Sequence, residues 1–361
     1  SHAACAIGRR MTQSNLHRPV PVRAIPEGAR SADSSVPPER VAHALLEGDV
    51  VVVTDHYGTG ANILDALTVQ MGKPGPQADY AERELAARAY RAVARRLLVR
   101  IKSHQLVLNN GSSIGFLKEL YPDVATFALP LVDVQELHGA WLRYVDGIPM
   151  AVLGYKIHPF YGTYVPTRTT HLELFGTWLS QYTGARDQAV DVGTGCGVLA
   201  LMLAKADFAN VVATDANANA IESVTRQMRR LPELPPITPV QGDLLGMKGP
   251  RVDLIVFNPP WMYGDANSLV DKALYFGDDL FPRFFDQAAA RLAPGGRVVL
   301  LFSNLMGLVQ PEVAHPIETE LAGGRFRLVQ KLSRKVKPVR GPGGKRRPTR
   351  EKVEVWELEL A

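Results

Sequence analysis

Cysteine is nearly absent from this chain of 361 residues: Cys5 and Cys196 are the only two. That scarcity excludes a disulfide framework and a cysteine-based metal cluster, and a reducing, cytoplasmic setting is the expectation. No apolar run approaches the roughly 18 residues needed to cross a bilayer, and no signal-peptide pattern opens the chain, so no membrane role is expected. Acid is missing from one stretch in particular. Lys331 to Arg350 holds nine Lys or Arg and neither Asp nor Glu. The net charge of the whole chain is only +5, so the remainder is net acidic and the basic character is confined to one segment. A hydrophobic content of 46% is ordinary for a globular protein, and the length suggests two domains.

The densest information lies in Ala189-Val-Asp-Val-Gly-Thr-Gly-Cys-Gly-Val-Leu-Ala200. It reads as a short buried strand, a loop kept bare by Gly193, Gly195 and Gly197, and the start of a helix whose first amides point back at the loop. Val211-Val-Ala-Thr-Asp215 is a second strand ending in a carboxylate, placed to accept hydrogen bonds from a ribose diol. Loop, helix, strand and terminal Asp together indicate a nucleoside site. Asp191, ahead of the first glycine, would repel a pyrophosphate but suits an ammonium or sulfonium ligand.

These residues resemble the class I S-adenosylmethionine-dependent methyltransferases. The resemblance implies that Asp191, Gly193, Gly195 and Gly197 hold the methionine end of S-adenosyl-L-methionine and that Asp215 holds the ribose. It implies further that Ala216 lies against the adenine, that Asp243 binds the adenine amino group and that Leu244 packs on the ring; a helix cap is the alternative for Asp243. Pro166-Thr-Arg168 resembles the segment that covers the cofactor in the glutamine- and base-modifying members, with the Glu of that pattern missing. Thr167 and Arg168 would then contact the methionine carboxylate, or cap the helix beginning at Thr169. The product would be S-adenosyl-L-homocysteine, and no metal is implied.

A further strand, Val252 to Phe257, ends in Asn258-Pro-Pro-Trp261. A residue before proline is biased towards extended backbone, and two consecutive prolines stiffen the loop. Such a loop can aim the Asn258 side-chain oxygen and the Pro259 carbonyl at one NH2 group, with Pro260 fixing the turn and Trp261 offering a flat face for stacking. Two acceptors would turn the nitrogen lone pair towards a methyl donor without a strong base. The tetrapeptide resembles the Asn-Pro-Pro-aromatic signature of methyltransferases acting on amino groups of adenine, guanine or glutamine side chains; a tight turn with a core Trp is the bland alternative. His171 is expected to be packed rather than catalytic.

The rest of the chain gives the organisation. Residues 1–37 read as an N-terminal arm, and those before Met11 as an expression remnant. Residues 38–160 read as an α+β domain for substrate recognition or capping. It would contain a helix from Pro38 to Glu47, a strand at Val50 to Thr54, a turn or second ligand loop at Asp55 to Gly60, and a long helix from Tyr80 to about Arg100. Alternating residues from Leu131 to Tyr164 would form a hairpin around Asp146-Gly147. Residues 161–361 read as the methyltransferase domain, a Rossmann-like seven-stranded α/β sheet with a last antiparallel strand. Within it a helix from Pro311 to Leu321 is expected, and Tyr263, Asp265 and Tyr275 lie in a loop over the substrate.

The expected function is transfer of a methyl group to a planar amino or amide nitrogen. An RNA base is one acceptor, contacted through the basic segment Lys335 to Arg350. A small molecule such as a secondary metabolite and a protein glutamine are the others. A scaffold that binds cofactor and RNA without catalysis is the non-enzymatic alternative. Oligomeric state is not legible.

Overall fold

The computed structural model describes residues 16–75, 80–246, 249–264, 274–336 and 350–361. The chain divides into two units, Ser1–Arg143 and Tyr144–Ala361.

The first unit carries β1 (Arg30–Ala32), α1 (Pro38–Glu47), β2 (Val51–Val53), α2 (Tyr57–Met71), α3 (Tyr80–Ala94), β3 (Leu97–Lys102), β4 (Gln105–Leu106), α4 (Gly115–Leu120) and β5 (Thr126–Pro130). Strands β1, β2 and β3 are parallel, and β4 and β5 pair antiparallel with β3. Three sequence expectations are corrected here. The long helix stops at Ala94, because Leu97, Leu98 and Val99 pair in register with Val51, Val52 and Val53. Asp55 to Gly60 is no simple turn, since Tyr57 already begins α2. The β alternation after Leu131 is a helix, α5 (Leu131–Asp146). Leu131, Val134, Leu137 and Ala140 are its buried apolar positions, three apart, which is a helical stripe. Asp146-Gly147 is therefore the end of that helix and not the expected hairpin turn. A different hairpin follows in the second unit, β6 (Ile148–Met150) with β7 (Tyr155–Ile157), its turn between Met150 and Tyr155.

The second unit continues with α6 (Thr170–Gln181), β8 (Gln188–Val192), α7 (Val198–Lys205), β9 (Asn210–Asp215), α8 (Ala218–Arg230), β10 (Ile237–Gln241) and β11 (Val252–Phe257). The two-residue strands β12 (Met262–Tyr263) and β13 (Tyr275–Phe276) precede α9 (Leu280–Arg291) and β14 (Leu292–Ser303). The expected helix from Pro311 is replaced by α10 (Leu305–Val309) and α11 (Pro316–Ala322). Pro316 sits at the first helical position, where its missing N–H costs nothing, and His315 Nδ1 accepts the Glu318 amide. The chain ends with β15 (Phe326–Lys335) and β16 (Lys352–Leu360).

The main sheet has seven strands in the order β10-β9-β8-β11-β14-β16-β15. The first five are parallel, and β16 lies antiparallel between β14 and β15. Both faces are covered, so the central strands are apolar throughout. In β11, Leu254 and Val256 face the core built with Phe175, Trp178 and Leu203, whereas Ile255 and Phe257 face Phe281, Phe284 and Phe285. The chain runs outward from β8 to β10, then restarts on the other side of β8 with β11. The strand ends of β8 and β11 therefore form the switch point of the sheet, where open α/β sheets bind ligands.

Candidate active site

Four loops leave the sheet side by side at its carboxyl edge. Val192 pairs with Thr214 on one side and Phe257 on the other, and Gln241 pairs with Asp215. The register therefore places the glycine loop between the Asp215 loop and the Asn258 loop, with Asp243 beyond Asp215.

The glycine loop requires its glycines. Gly193, Gly195 and Gly197 all have positive φ, at 62°, 52° and 84°. A Cβ on Gly195 would lie 3.2 Å from the Tyr164 carbonyl, and one on Gly197 would lie 2.9 Å from Val224 Cγ2. The segment around Tyr164 thus lies against the loop, and it is stitched to the start of α8. Asn217 Nδ2 donates to the Gly162 carbonyl (2.8 Å), and Asn219 Nδ2 to the Tyr161 carbonyl (2.8 Å).

Asp191 is completely buried. Its Oδ2 accepts from the Thr194 hydroxyl (2.6 Å) and the Ala200 amide (3.0 Å), and its Oδ1 has no partner. Burial pushes its pKa up to about 7, with Asp215 adding to the rise. Asp215 accepts from the Gly195 amide (2.9 Å) and the Asn217 amide (2.8 Å), and burial raises its pKa as well. Among the described residues neither carboxylate forms an ion pair. A buried and a half-buried acid without a cation suit a positively charged ligand. Ala216 is exposed beside Asp215, and its carbonyl accepts from Gln241 Nε2 (3.4 Å). Asp243 is exposed and paired with Arg283; Leu244, next to it, is buried at a φ of 54°, and its carbonyl accepts from the Thr214 hydroxyl (2.6 Å). Thr167 is exposed, and Arg168 is held by Glu351 at 2.7 Å, at the foot of β16.

At the end of β11, Asn258 Oδ1 is buried and unpartnered. Pro259 is buried and Pro260 half-buried. Trp261 Nε1 donates to the Leu301 carbonyl on β14 (3.2 Å), and its ring meets His171 edge to face, with centroids 5.4 Å apart. His171 is buried as expected, but both ring nitrogens lack partners, and burial pushes its pKa down to about 4. Cys196 is a buried free thiol pushed up to about 12 by burial, so it is no nucleophile at neutral pH. Asp265 lies outside the described residues; Tyr263 and Tyr275 are in the small β12–β13 pair, and the Tyr263 hydroxyl donates to Asp278 (2.8 Å). Among the described residues no three His, Cys, Asp or Glu gather as a metal site. Thr194, Thr214 and Asn217 were not singled out by sequence, although the Asn217 cap was signalled by Asn ahead of an amphipathic helix.

Strand order, glycine loop and acidic strand ends together make this the Rossmann-like class I methyltransferase fold. The family model for the methyltransferase small domain matches residues 173–315. The chain is 38% identical to the release factor glutamine methyltransferase of Deinococcus radiodurans, over 32% of this chain and 45% of that protein. It is 28% identical to the tRNA1(Val) (adenine(37)-N6)-methyltransferase of Tolumonas auensis, over 36% and 55%. A ribosomal protein L11 methyltransferase from Geobacillus thermodenitrificans matches more of the chain, 69%, at 25% identity, and is itself covered over 77%. The chain spans about half the length of the first two of these relatives. Within the described residues no helix is long and apolar enough to cross a membrane.

Proposed function

We propose that this chain is an S-adenosylmethionine-dependent N-methyltransferase whose acceptor is a planar amino or amide nitrogen. The observation that carries the reading is the buried, unpartnered Asn258 Oδ1 at the end of β11, in the loop next to the glycine loop. An acceptor that must be buried yet has no donor is costly unless a ligand supplies one.

The residues fit the cofactor. Asp191 keeps one free oxygen for an ammonium and Asp215 retains lone pairs for a ribose diol, and Ala216 and Leu244 would lie against the adenine, as the family resemblance implies. Asp243 would take the adenine amino group, and Thr167 and Arg168 the methionine carboxylate. S-adenosylmethionine, when bound, supplies a methyl group activated by the sulfonium. The chain's own part is positioning. Asn258 Oδ1 and the Pro259 carbonyl each accept one N–H of the acceptor, which leaves the nitrogen lone pair facing the donor. The stiff Pro259-Pro260 pair keeps that geometry without reorganisation. No strong base is needed, and the neutral, buried His171 is not one.

An RNA base is the leading acceptor, with Lys335 and Arg350 flanking a basic segment that would bind phosphates. Residues 337–349 of that segment lie outside the described residues. The 38% identity to a glutamine methyltransferase favours a protein glutamine as the second reading. Transfer of labelled methyl from S-adenosylmethionine to total RNA, compared with protein, tests both. The RNA reading requires label in RNA that is lost in Asn258→Ala, and label in protein alone would replace it by the second.

A further inference from the structure

Among its described residues the second unit buries few polar side-chain atoms without a partner. Apart from the Tyr155 hydroxyl they are Asp191 Oδ1, Asn258 Oδ1 and both ring nitrogens of His171. The first two have roles in binding cofactor and acceptor; His171 has none. It lies in the first turn of α6, 3% exposed, on a helix that also buries Leu172, Leu174 and Phe175, with its ring edge to face against Trp261. Phenylalanine would keep that aromatic contact at no polar cost. Leaving a buried polar group unpaired costs about 1–3 kcal/mol. The imidazole belongs where something completes its hydrogen bonds.

Its ionisation narrows what that is. Burial alone pushes the pKa to about 4, so the ring is neutral near physiological pH and carries one N–H donor and one acceptor nitrogen. Asn258 can only accept through its oxygen. A planar conjugated amine presents both complements side by side: the NH2 donates, and the adjacent carbonyl oxygen or ring nitrogen accepts. An isolated alkylamine lacks the second.

We propose that His171 is a specificity-determining residue of the acceptor site, donating its ring N–H to the atom next to the NH2 group that Asn258 receives. The site thereby selects an H2N–C=O or H2N–C=N unit, the shared chemistry of a primary carboxamide and of 6-aminopurine. This inference rests on the N-methyltransferase reading.

The test uses the full chain, 15N-labelled at histidine and saturated with S-adenosylhomocysteine, with the His171 resonance assigned by its loss in His171→Phe. The probes are adenosine, N-acetylglutaminamide and benzylamine. The expected result is that adenosine or the carboxamide shifts the His171 ring signals and benzylamine does not; which of the two acts tells a base from a side-chain amide. His171→Phe should melt no lower than the parent, yet bind the active probe about tenfold more weakly or worse. His171→Gln, which restores an N–H donor, should recover part of that loss. If benzylamine shifts the signals equally, if neither conjugated probe shifts them, or if His171→Phe binds the probe as tightly, the inference falls and the methyltransferase reading stands. If S-adenosylhomocysteine itself does not bind, that reading falls and this inference with it.

Discussion

On the proposed reading, raising the pH from about 6 to about 7 should tighten S-adenosylhomocysteine binding roughly fivefold, because Asp191 would have to lose a proton before pairing with the ligand's ammonium group. The carboxyl is fully buried, and desolvation pushes its pKa from the ordinary 3.8 up to about 7 against the opposing hydrogen bonds from Thr194 and Ala200. The folded form without ligand therefore holds this proton more tightly than the unfolded chain does. The resulting stability is fully present below about pH 4 and is lost as the pH rises through about 7, on the order of 4 kcal/mol at most. A cation beside Oδ1 pulls the pKa back down, so binding below about pH 7 releases close to one proton, and the affinity stops improving above it. Calorimetry in two buffers of different ionisation enthalpy counts that proton directly. Asp191→Asn keeps the shape and removes the titration; its binding should be weak and independent of pH, while its melting temperature near neutral pH should rise. An affinity that is flat across this range with no buffer-dependent heat would refute the reasoning, and so would an Asn variant that behaves as the parent does.

Asn258→Ala should leave the melting temperature unchanged or slightly raised in a thermal scan, because Oδ1 has no partner to lose. It should retain S-adenosylhomocysteine affinity while methyl transfer falls about 10²–10³-fold, the loss typical of one preorganised polar group. Gly197→Ala should cost about 1–3 kcal/mol in urea unfolding, since the new Cβ meets Val224 at a positive φ. Phe284→Ala, which empties a fully buried position between Phe257 and Phe285, should cost about 3–5 kcal/mol in the same assay.

The second unit was legible in sequence because its signals are local. Three of the parallel strands, β8, β9 and β11, are short apolar runs that lead straight into candidate site residues: Val192 before the glycines, Thr214 before Asp215, Phe257 before Asn258. The first unit has no such punctuation, and there two periods compete. Trp141 to Val145 alternates as a strand would, but Leu131, Val134, Leu137 and Ala140 are the positions that find a core, and tertiary burial overrides the local pattern. Leu97 continues the helical stripe of α3, yet its backbone pairs with Val51. Arg168 was named from its neighbours alone, whereas its partner Glu351 lies 183 residues along the chain and no local pattern points to it. The unpaired nitrogens of His171 are likewise a property of packing.

Unpaired buried polar groups also occur in the first unit, and comparison with them sharpens the case for the site. The unpartnered Asp49 Oδ2 itself lies 3.0 Å from Arg30, and Asp133 is met by Arg95 at 2.7 Å through its other oxygen, so each has its charge balanced. Asp55 accepts the Ser34 amide and lies just ahead of α2, where the helix dipole favours an anion. Those atoms need no ligand to explain them. Asp191 accepts one amide of α7, yet its pKa stays raised and no cation among the described residues balances it. Asn258 has lost its one strong acceptor to burial, and His171 has lost both nitrogens. Chance would scatter such costs over the fold. Of the four such residues described in the second unit, two stand at adjacent strand ends and a third touches Trp261 of the same loop, while the Tyr155 hydroxyl on β7 is the fourth; most of the stability given up is thus concentrated where a ligand can return it.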